Sequence, residues 1–417
     1  MAEAHAGSGK VTLFHQEAPS QLPNSARKHQ VTYRIPALLF LPEESIFLAF
    51  AERRFSPRDE HAKHLVMRRG RKEGMSVQWG PQEYLMTIIL PDHRTMNPCP
   101  VYEKKNGRIF LFFICVQGDV TESQQLKSGR NAAKLCYVSS HDGGHKWSPL
   151  TDLTHEVIGD DLKNWATFAV GPGHGLQTSS GRLVIPAYAY YIRRNCLNPL
   201  AATCSRPHSF IFFSDDYGQN WARGELLKSL RTGECQVAEV IRQDNRCVLY
   251  CNARSPDGYR IVAFSKDCGS HFEEPFQEMP ETGNGCQGSV VSFTPVRKSV
   301  ELGPKDNIAV MTPFLGSHHS NAPNATRSWM LFSHPTSRQK RVNLGIYLST
   351  SPLAKYSWKA PWVLYEGPSG YSDLAVCEEG QAVLFGCLFE CGVSNEYEEI
   401  AFQLFTDMDL LRNVKEG

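Results

Sequence analysis

An all-β propeller built from small, similar sheets is the fold this sequence predicts, and three observations carry that prediction. One short pattern, Ser-x-Asp-x-Gly-x-x-aromatic, occurs three times: Ser140-His-Asp142-Gly-Gly144-His-Lys-Trp147, Ser214-Asp-Asp216-Tyr-Gly218-Gln-Asn-Trp221 and Ser265-Lys-Asp267-Cys-Gly269-Ser-His-Phe272. Each copy follows an apolar run of β type, at 135–138, 210–213 and 261–264. Composition agrees, with 32 glycines and 25 prolines among 417 residues and few long amphipathic helical stretches. The pattern has the physics of a hairpin turn: Asp accepts backbone N–H bonds, Gly supplies a positive φ, and the aromatic ring folds back over the sheet. Repetition of such a unit is the signature of a propeller.

Strand candidates follow in chain order at 35–40, 46–51, 109–116, 183–190, 248–252, 289–293, 344–348 and 383–389, each a run of β-branched and aromatic residues bounded by turn formers. Two segments break the rhythm. Residues 191–208 carry Cys196, Cys204 and three arginines and read as a long loop. Residues 294–327 mix Pro, Ser, Asn and charge and read as a surface insertion.

The repeated pattern is the Asp box, and with it the chain resembles the sialidases (neuraminidases). A second signature, Tyr33-Arg34-Ile35-Pro36, stands where that family carries Arg-Ile-Pro. The resemblance runs on through Thr95-Met-Asn-Pro-Cys-Pro100, Phe168-Ala-Val-Gly-Pro-Gly-His174, Glu234-Cys-Gln-Val-Ala-Glu239, Gly285-Cys-Gln-Gly-Ser289 and Tyr371-Ser-Asp-Leu374, so it covers roughly residues 33–405. It implies a six-bladed β-propeller in a single domain spanning 1–417, with its core at about 30–406 and insertions at 191–208 and 294–327. Six four-stranded sheets need 24 strands, about 17 residues per strand and loop, which suits short strands. Arg130-Asn-Ala-Ala133, Lys163-Asn-Trp-Ala-Thr-Phe168, His334-Pro-Thr-Ser-Arg338 and Phe385-Gly-Cys-Leu-Phe-Glu-Cys391 are similar to the plasma-membrane, ganglioside-cleaving branch rather than the cytosolic one.

With 44 Lys plus Arg against 43 Asp plus Glu, the chain has no field for nucleic acid, so an anionic ligand must be caught by placed arginines. The 13 cysteines show no C-x-x-C pairs. Cys115, Cys136 and Cys247 sit in apolar strands and read as reduced, buried thiols. The histidines form no ligand set, and no metal or cofactor is expected. The first ten residues hold no apolar h-region and no run approaches a membrane span, so synthesis in the cytoplasm with peripheral membrane contact is expected.

Sialic acid, the substrate the resemblance implies, carries a carboxylate on its anomeric carbon. That ligand calls for forked, always-charged donors. The resemblance places them at Arg34, Arg254 and Arg341, with Arg338 and Lys340 as neighbours of the third. A carboxylate nucleophile would be repelled by the substrate's own carboxylate, and sialidases use tyrosine instead. Tyr371 matches the nucleophile and Glu234 its base, with Glu239 as the rival five residues on; a phenol near pKa 10 needs such a base. Asp59 matches the general acid/base, in a charged segment 52–61 that reads as a loop, with Glu60 and His61 beside it. By the same resemblance Arg54 contacts the region of the substrate carboxylate, and Met96 and Asn97 form the N-acetyl pocket on a turn before Pro98. Tyr188, Tyr190 and Gln287 line the glycerol side chain and the aglycone mouth, and Glu122 falls at a mobile lid. The expected partners are gangliosides and a membrane surface, at the plasma membrane or on endosomal and other cell membranes. Arg193, Arg194 and Arg206 are offered to anionic headgroups, and Cys196 or Cys204 to an acyl chain. The alternatives are a cytosolic-type sialidase acting on soluble glycoconjugates and a non-catalytic sialic-acid lectin.

Overall fold

In each of the three turns one serine and one aspartate satisfy the backbone that the reversal would otherwise strand. Ser214 Oγ donates to Asp216 Oδ1 (2.8 Å) and accepts from Gly218 N (2.8 Å), while Asp216 Oδ1 accepts from Asn220 N (2.9 Å). The same bonds recur around Ser140 with Asp142 and around Ser265 with Asp267. The glycine answers to packing as well as to φ. A Cβ at Gly218 (φ +84) would lie 2.1 Å from Phe110 Cζ, and one at Gly269 (φ +98) 1.9 Å from Ile211 Cδ1. Each turn is thus pressed against a strand of the preceding sheet. The aromatic that ends the pattern completes the seam: Trp221 meets Phe112 edge-on at 4.8 Å and Phe212 at 5.7 Å, and Trp147 meets Phe50 at 6.3 Å. Such pairs contribute about 0.5–1.5 kcal/mol each beyond the area they bury.

The computed structural model describes residues 2–17, 30–193, 205–295, 326–379 and 382–414. Among the described residues 26 strands form five antiparallel sheets. The first runs Ala2–His5, Ser76–Trp79, Ala62–Glu73, Ile46–Arg54, Thr32–Leu41, with Glu83–Tyr84 beside Ala62–Glu73. The second runs Thr151–Asp152, Ala133–Ser140, Arg108–Gln117, His93–Glu103. The third runs Trp165–Val170, Leu183–Ile192, Ser205–Ser214, Ala222–Arg223, with Leu176–Gln177 alongside. The fourth runs Cys235–Ile241, Cys247–Ala253, Tyr259–Ser265, Phe276–Pro280. The fifth has seven strands: Val11–His15, Glu399–Thr406, Ala382–Cys391, Trp362–Glu379, Val342–Ser349, Trp329–Pro335, Ser289–Phe293. Its long strand Trp362–Glu379 pairs with Val342–Ser349 through its first half and with Ala382–Cys391 through its second. The architecture is an all-β, propeller-like arrangement. Its apolar core lies between neighbouring sheets, the first against the second, the second against the third and the third against the fourth. The N-terminal segment fastens the ends of the chain together, since Ala2–His5 joins the first sheet while Val11–His15 pairs with Glu399–Thr406.

All eight strand candidates fall inside strands. The two loop boundaries differ. Tyr191 pairs with Arg206 and Ile192 with Ser205, so the hairpin extends into both ends of the expected 191–208 loop; Arg194, Cys196 and Cys204 lie outside the described residues. Of the expected 294–327 insertion, residues 296–325 lie outside them. The segment 52–61 begins as strand, because Glu52, Arg53 and Arg54 still pair with the neighbouring strand, and it turns only from Phe55. Cys115 and Cys136 are buried as expected, whereas Cys247 is half-buried; the eleven described cysteines are all free.

Gly269→Ala forces a methyl group onto Ile211 at a left-handed φ, and overpacking alone costs about 1–3 kcal/mol. Chemical denaturation should show a loss at or above that range. A stability within about 0.5 kcal/mol of the parent, the range of ordinary surface substitutions, contradicts this picture of the seam.

Candidate active site

Two strands carry the same irregularity, a positive-φ residue followed by proline, and a third ends on it. Ile35 (φ 59) precedes Pro36, Asn97 (φ 59) precedes Pro98, and Gly171 (φ 48) precedes Pro172. In the first two, register shifts between Arg34 and Ala37 and between Met96 and Cys99 mark a bulge. A bulge re-aims side chains out of the alternation of a strand. Positive φ at a β-branched residue such as Ile35 is a strained conformation, and strain of this kind collects at functional sites.

The strain at Ile35 is held by Glu390. Its Oε1 accepts from Ile35 N (2.9 Å) and Arg34 Nε (2.9 Å), and its Oε2 accepts from Tyr371 N (3.0 Å). Arg34 then lies over the rings of Tyr397 (4.5 Å) and Tyr371 (5.2 Å), a cation–π arrangement.

The hydroxyl of Tyr371 donates to Glu234 Oε1 at 2.5 Å. Arg254 Nη1 donates both to that hydroxyl (3.0 Å) and to Glu234 Oε2 (2.8 Å), and Arg254 Nη2 donates to Asn284 O (2.7 Å). Burial raises the Tyr371 phenol well above its usual range, and Glu234 adds to this while Arg254, Arg341 and Arg34 oppose it. The phenol therefore rests neutral beside its acceptor. Arg341 donates to Gly285 O through Nη2 (2.8 Å) and Nε (3.2 Å) and lies 5.3 Å from the Tyr371 ring centre. Arg34, Arg254 and Arg341 face two carboxylates, Glu390 and Glu234, in this cluster. One positive charge is left over, which suits a monoanion. A cleft of about 460 Å³ opens beside Arg341 and Tyr397.

A second polar group lies alongside. Fully buried Arg54 donates through Nε to Glu52 (2.8 Å) and through Nη1 to Asp59 (2.6 Å). Burial acts to raise the Asp59 carboxyl, but Arg54 and Arg34 outweigh it and hold it below its ordinary value; the side chain remains open to solvent on one side. Glu52 Oε1 accepts from Asn97 N (2.7 Å), and Asn97 Nδ2 donates to Val170 O (3.1 Å). Met96 receives a contact from Arg94 Nε at 3.3 Å. Met96 and Asn97 are thus buried at a strand bulge, whereas the sequence placed them on a turn.

At the mouth, Tyr188 and Tyr190 share a face of Leu183–Ile192 with ring centres 6.2 Å apart. Glu122 opens the short helix Glu122–Ser128 behind a Thr121 capping box. Its carboxyl is pushed up to about 7, first by desolvation and then by the charges of Asp59 and Glu234, with Arg254 and Tyr190 opposing. The side chain retains solvent access, so screening tempers the effect.

Tyr371, Glu234, Arg254, Arg34 and Arg341 come together, with Asp59, Arg54, Met96, Asn97, Tyr188, Tyr190 and Glu122 around them. Gln287 does not join the mouth. It is fully buried, donating to Pro172 O (3.2 Å) and accepting from Ser372 N (3.0 Å), so both ends of its amide are occupied by backbone. It supports the strand of Tyr371. Glu239 is held elsewhere, by Ser179 N (2.8 Å) and Ser179 Oγ (3.0 Å). Buried acids were missed by sequence reasoning. Glu52 and Glu390 have been described; Asp373 accepts from Leu38 N (2.7 Å) and Ser289 Oγ (2.8 Å) and pairs with His174 Nδ1 (2.7 Å). The available signal was an acidic residue inside an otherwise apolar strand, since such residues are almost never buried unless paired.

A model of the BNR repeat-like domain matches residues 46–384. Sialidase-3 of Bos taurus is 51% identical to this chain, over 100% of it and 96% of that protein. Sialidase-2 of Mus musculus is 42% identical, over 90% and 92%. Among solved structures, Hadza microbial sialidase Hz136 is alike in fold, with a TM-score of 0.68 at 22% identity. That likeness covers 91% of this chain, which spans 66% of the solved one.

Above pH of about 7, Glu122 adds a negative charge beside Asp59 and Glu234. Binding of an anionic substrate should then weaken, so KM rises as pH passes from 6 to 8, within about a unit either side of that value. Glu122→Gln should flatten this rise. An equal rise in the variant assigns the titration to another group.

Proposed function

The chain belongs to the BNR-repeat sialidase family and is an exo-α-sialidase; from that premise we propose that it is a retaining enzyme with Tyr371 as nucleophile, acting on gangliosides at a membrane surface. One observation carries the mechanism: the 2.5 Å bond from the Tyr371 hydroxyl to Glu234, with Arg254 bonded to both.

Arg34, Arg254 and Arg341 take the substrate carboxylate. Among the described residues, Arg34 Nη1 and Arg341 Nη1 make no hydrogen bond to protein, so each has N–H groups to give. The carboxylate cancels the surplus positive charge of the cluster, and the neutral phenol approaches the anomeric carbon without repulsion. As the phenol oxygen attacks, its proton passes to Glu234. Asp59 protonates the departing glycosidic oxygen, then takes a proton from the water that cleaves the sialyl–tyrosine bond, and Glu234 returns its proton to Tyr371. In the ligand-free site Arg54 holds Asp59 ionised, the form needed for the second step. The substrate's carboxylate raises Asp59 for the first step, because a like charge disfavours ionisation. Met96 and Asn97 take the N-acetyl group, and Tyr188, Tyr190 and Glu122 the glycerol side.

The ganglioside reading is supported by the branch-specific segments and by the higher identity to Sialidase-3 than to Sialidase-2, 51% against 42%. Among the described residues no helix is long and apolar enough to cross a membrane. Docking falls to the hairpin that carries Tyr190, whose exposed Arg193 and Arg206 flank its far end. Assigning the two halves of Trp362–Glu379 to separate blades turns the five sheets into six blades of one domain.

Tyr371→Phe should keep inhibitor affinity and lose kcat by several orders of magnitude, with Glu234→Gln close behind. Glu239→Gln should stay near wild type. Turnover within tenfold of the parent in Tyr371→Phe refutes the nucleophile. Arg341→Lys breaks one fork and should weaken binding of an unsaturated sialic acid analogue by about 2–5 kcal/mol, measured by calorimetry; unchanged affinity removes Arg341 from the site. For the substrate class, kcat/KM on a ganglioside in vesicles should exceed that on sialyllactose, and the reverse order favours the soluble-substrate type.

A further inference from the structure

We infer that Glu281 is a positioning residue for sialic acid binding: it shapes the loop 282–286, whose carbonyls aim Arg254 and Arg341. This rests on the reading that those arginines hold the substrate carboxylate.

One loop orients both guanidiniums. Arg254 Nη2 donates to Asn284 O (2.7 Å), and Arg341 donates to Gly285 O (2.8 and 3.2 Å). The loop has little freedom: Asn284 (φ 62) and Gly285 (φ 73) are both left-handed, and Gly285 N donates to Thr282 O (2.8 Å). A Cβ on Gly285 would meet Arg254 Nε at 2.6 Å. A displaced loop therefore moves the arginine with it.

Glu281 grips this loop at both ends. Its Oε1 accepts from Thr282 N (3.0 Å), Cys286 N (3.2 Å) and His334 Nε2 (2.7 Å). Its Oε2 accepts from Arg260 Nη1 (3.0 Å), which also donates to Cys286 O (2.6 Å). Asn252 Oδ1 fixes Arg260 Nε at 2.8 Å, and Arg260, Asn252, Glu281 and His334 are all buried. Cys286 in turn packs with Ile35 and Tyr371. Burial acts to raise the Glu281 carboxyl, yet Arg260 and His334 hold it down at about 2, so it is ionised wherever the enzyme works. A buried ion pair is often no more stabilising than apolar side chains of the same volume. Its effect here is geometric: four donors converge on one carboxylate and fix the ends of a five-residue loop.

The test compares dissociation constants for a 2,3-unsaturated sialic acid analogue and for the same compound with its carboxyl reduced to an alcohol. Unaltered protein should prefer the carboxylate by about 100-fold or more, as for a buried charge pair. In Glu281→Gln, an amide N–H faces the donors and the preference should shrink about tenfold, through the carboxylate compound alone, with KM rising by a similar factor. A merely structural role would lower the melting temperature and leave the ratio intact; that result overturns the inference. If Glu281→Gln does not fold, His334→Gln decides. It keeps the charge of Glu281 and perturbs one bond, so the ratio should fall about threefold, and an unchanged ratio again overturns the inference. A preference near one in the unaltered protein overturns the carboxylate-binding reading itself, whatever Glu281 does.

Discussion

The carboxylate of Glu390 is the constraint on which the site hangs. It holds Arg34 by its guanidinium, Ile35 by its strained backbone N–H and Tyr371 by its own N–H. The first sheet and the long strand of the fifth are thereby fixed against each other where Arg34 lies over the Tyr371 ring. Glu390 is fully buried, and breaking a buried pair by removing one partner costs about 3–5 kcal/mol because the other charge is left uncompensated. The strain at Ile35 persists for the same reason: the surrounding bonds over-determine it.

Around this point the molecule repeats one solution to a general problem, which is how to bring polar groups from several sheets to one place without stranding any. Asp373 does the same at a second point, joining Leu38 of the first sheet, Ser289 of the fifth and His174 on the connection between Trp165–Val170 and Leu176–Gln177. Gln287 joins Pro172 to Ser372. Glu281 closes the loop that carries Asn284 and Gly285. Farther out, the Asp-box glycines let neighbouring sheets approach to contact.

Local features were legible in the sequence. The Asp boxes specify their own bonds within seven or eight residues, and the apolar runs mark strands by pattern alone. Arg34, Tyr371, Glu234 and Asp59 could be singled out as candidates from motifs. What joins them could not: Arg34 and Glu390 are 356 positions apart, and Tyr371 and Glu234 137. For Gln287 a sequence does not reveal that both ends of its amide are already taken by backbone. At Met96 and Asn97 the Asn-Pro pair fits a turn and a bulge equally, and only strand pairing separates the two. The hairpin after Tyr190 outran its expected end because polar residues such as Ser205 and Arg206 can still complete a ladder.

In the mechanism proposed above, a phenol oxygen, relieved of its proton by Glu234, bonds to the anomeric carbon. A sialic acid derivative fluorinated at C3, with fluoride as leaving group at C2, slows breakdown of such an intermediate more than its formation. Intact-protein mass spectrometry after brief incubation, followed by peptide mapping, measures this directly. One sialyl adduct per chain, on the peptide containing Tyr371 and absent from Tyr371→Phe, is the predicted result. Turnover of the reagent with no adduct, or an adduct on the carboxylate of Asp59 or Glu234, would contradict it.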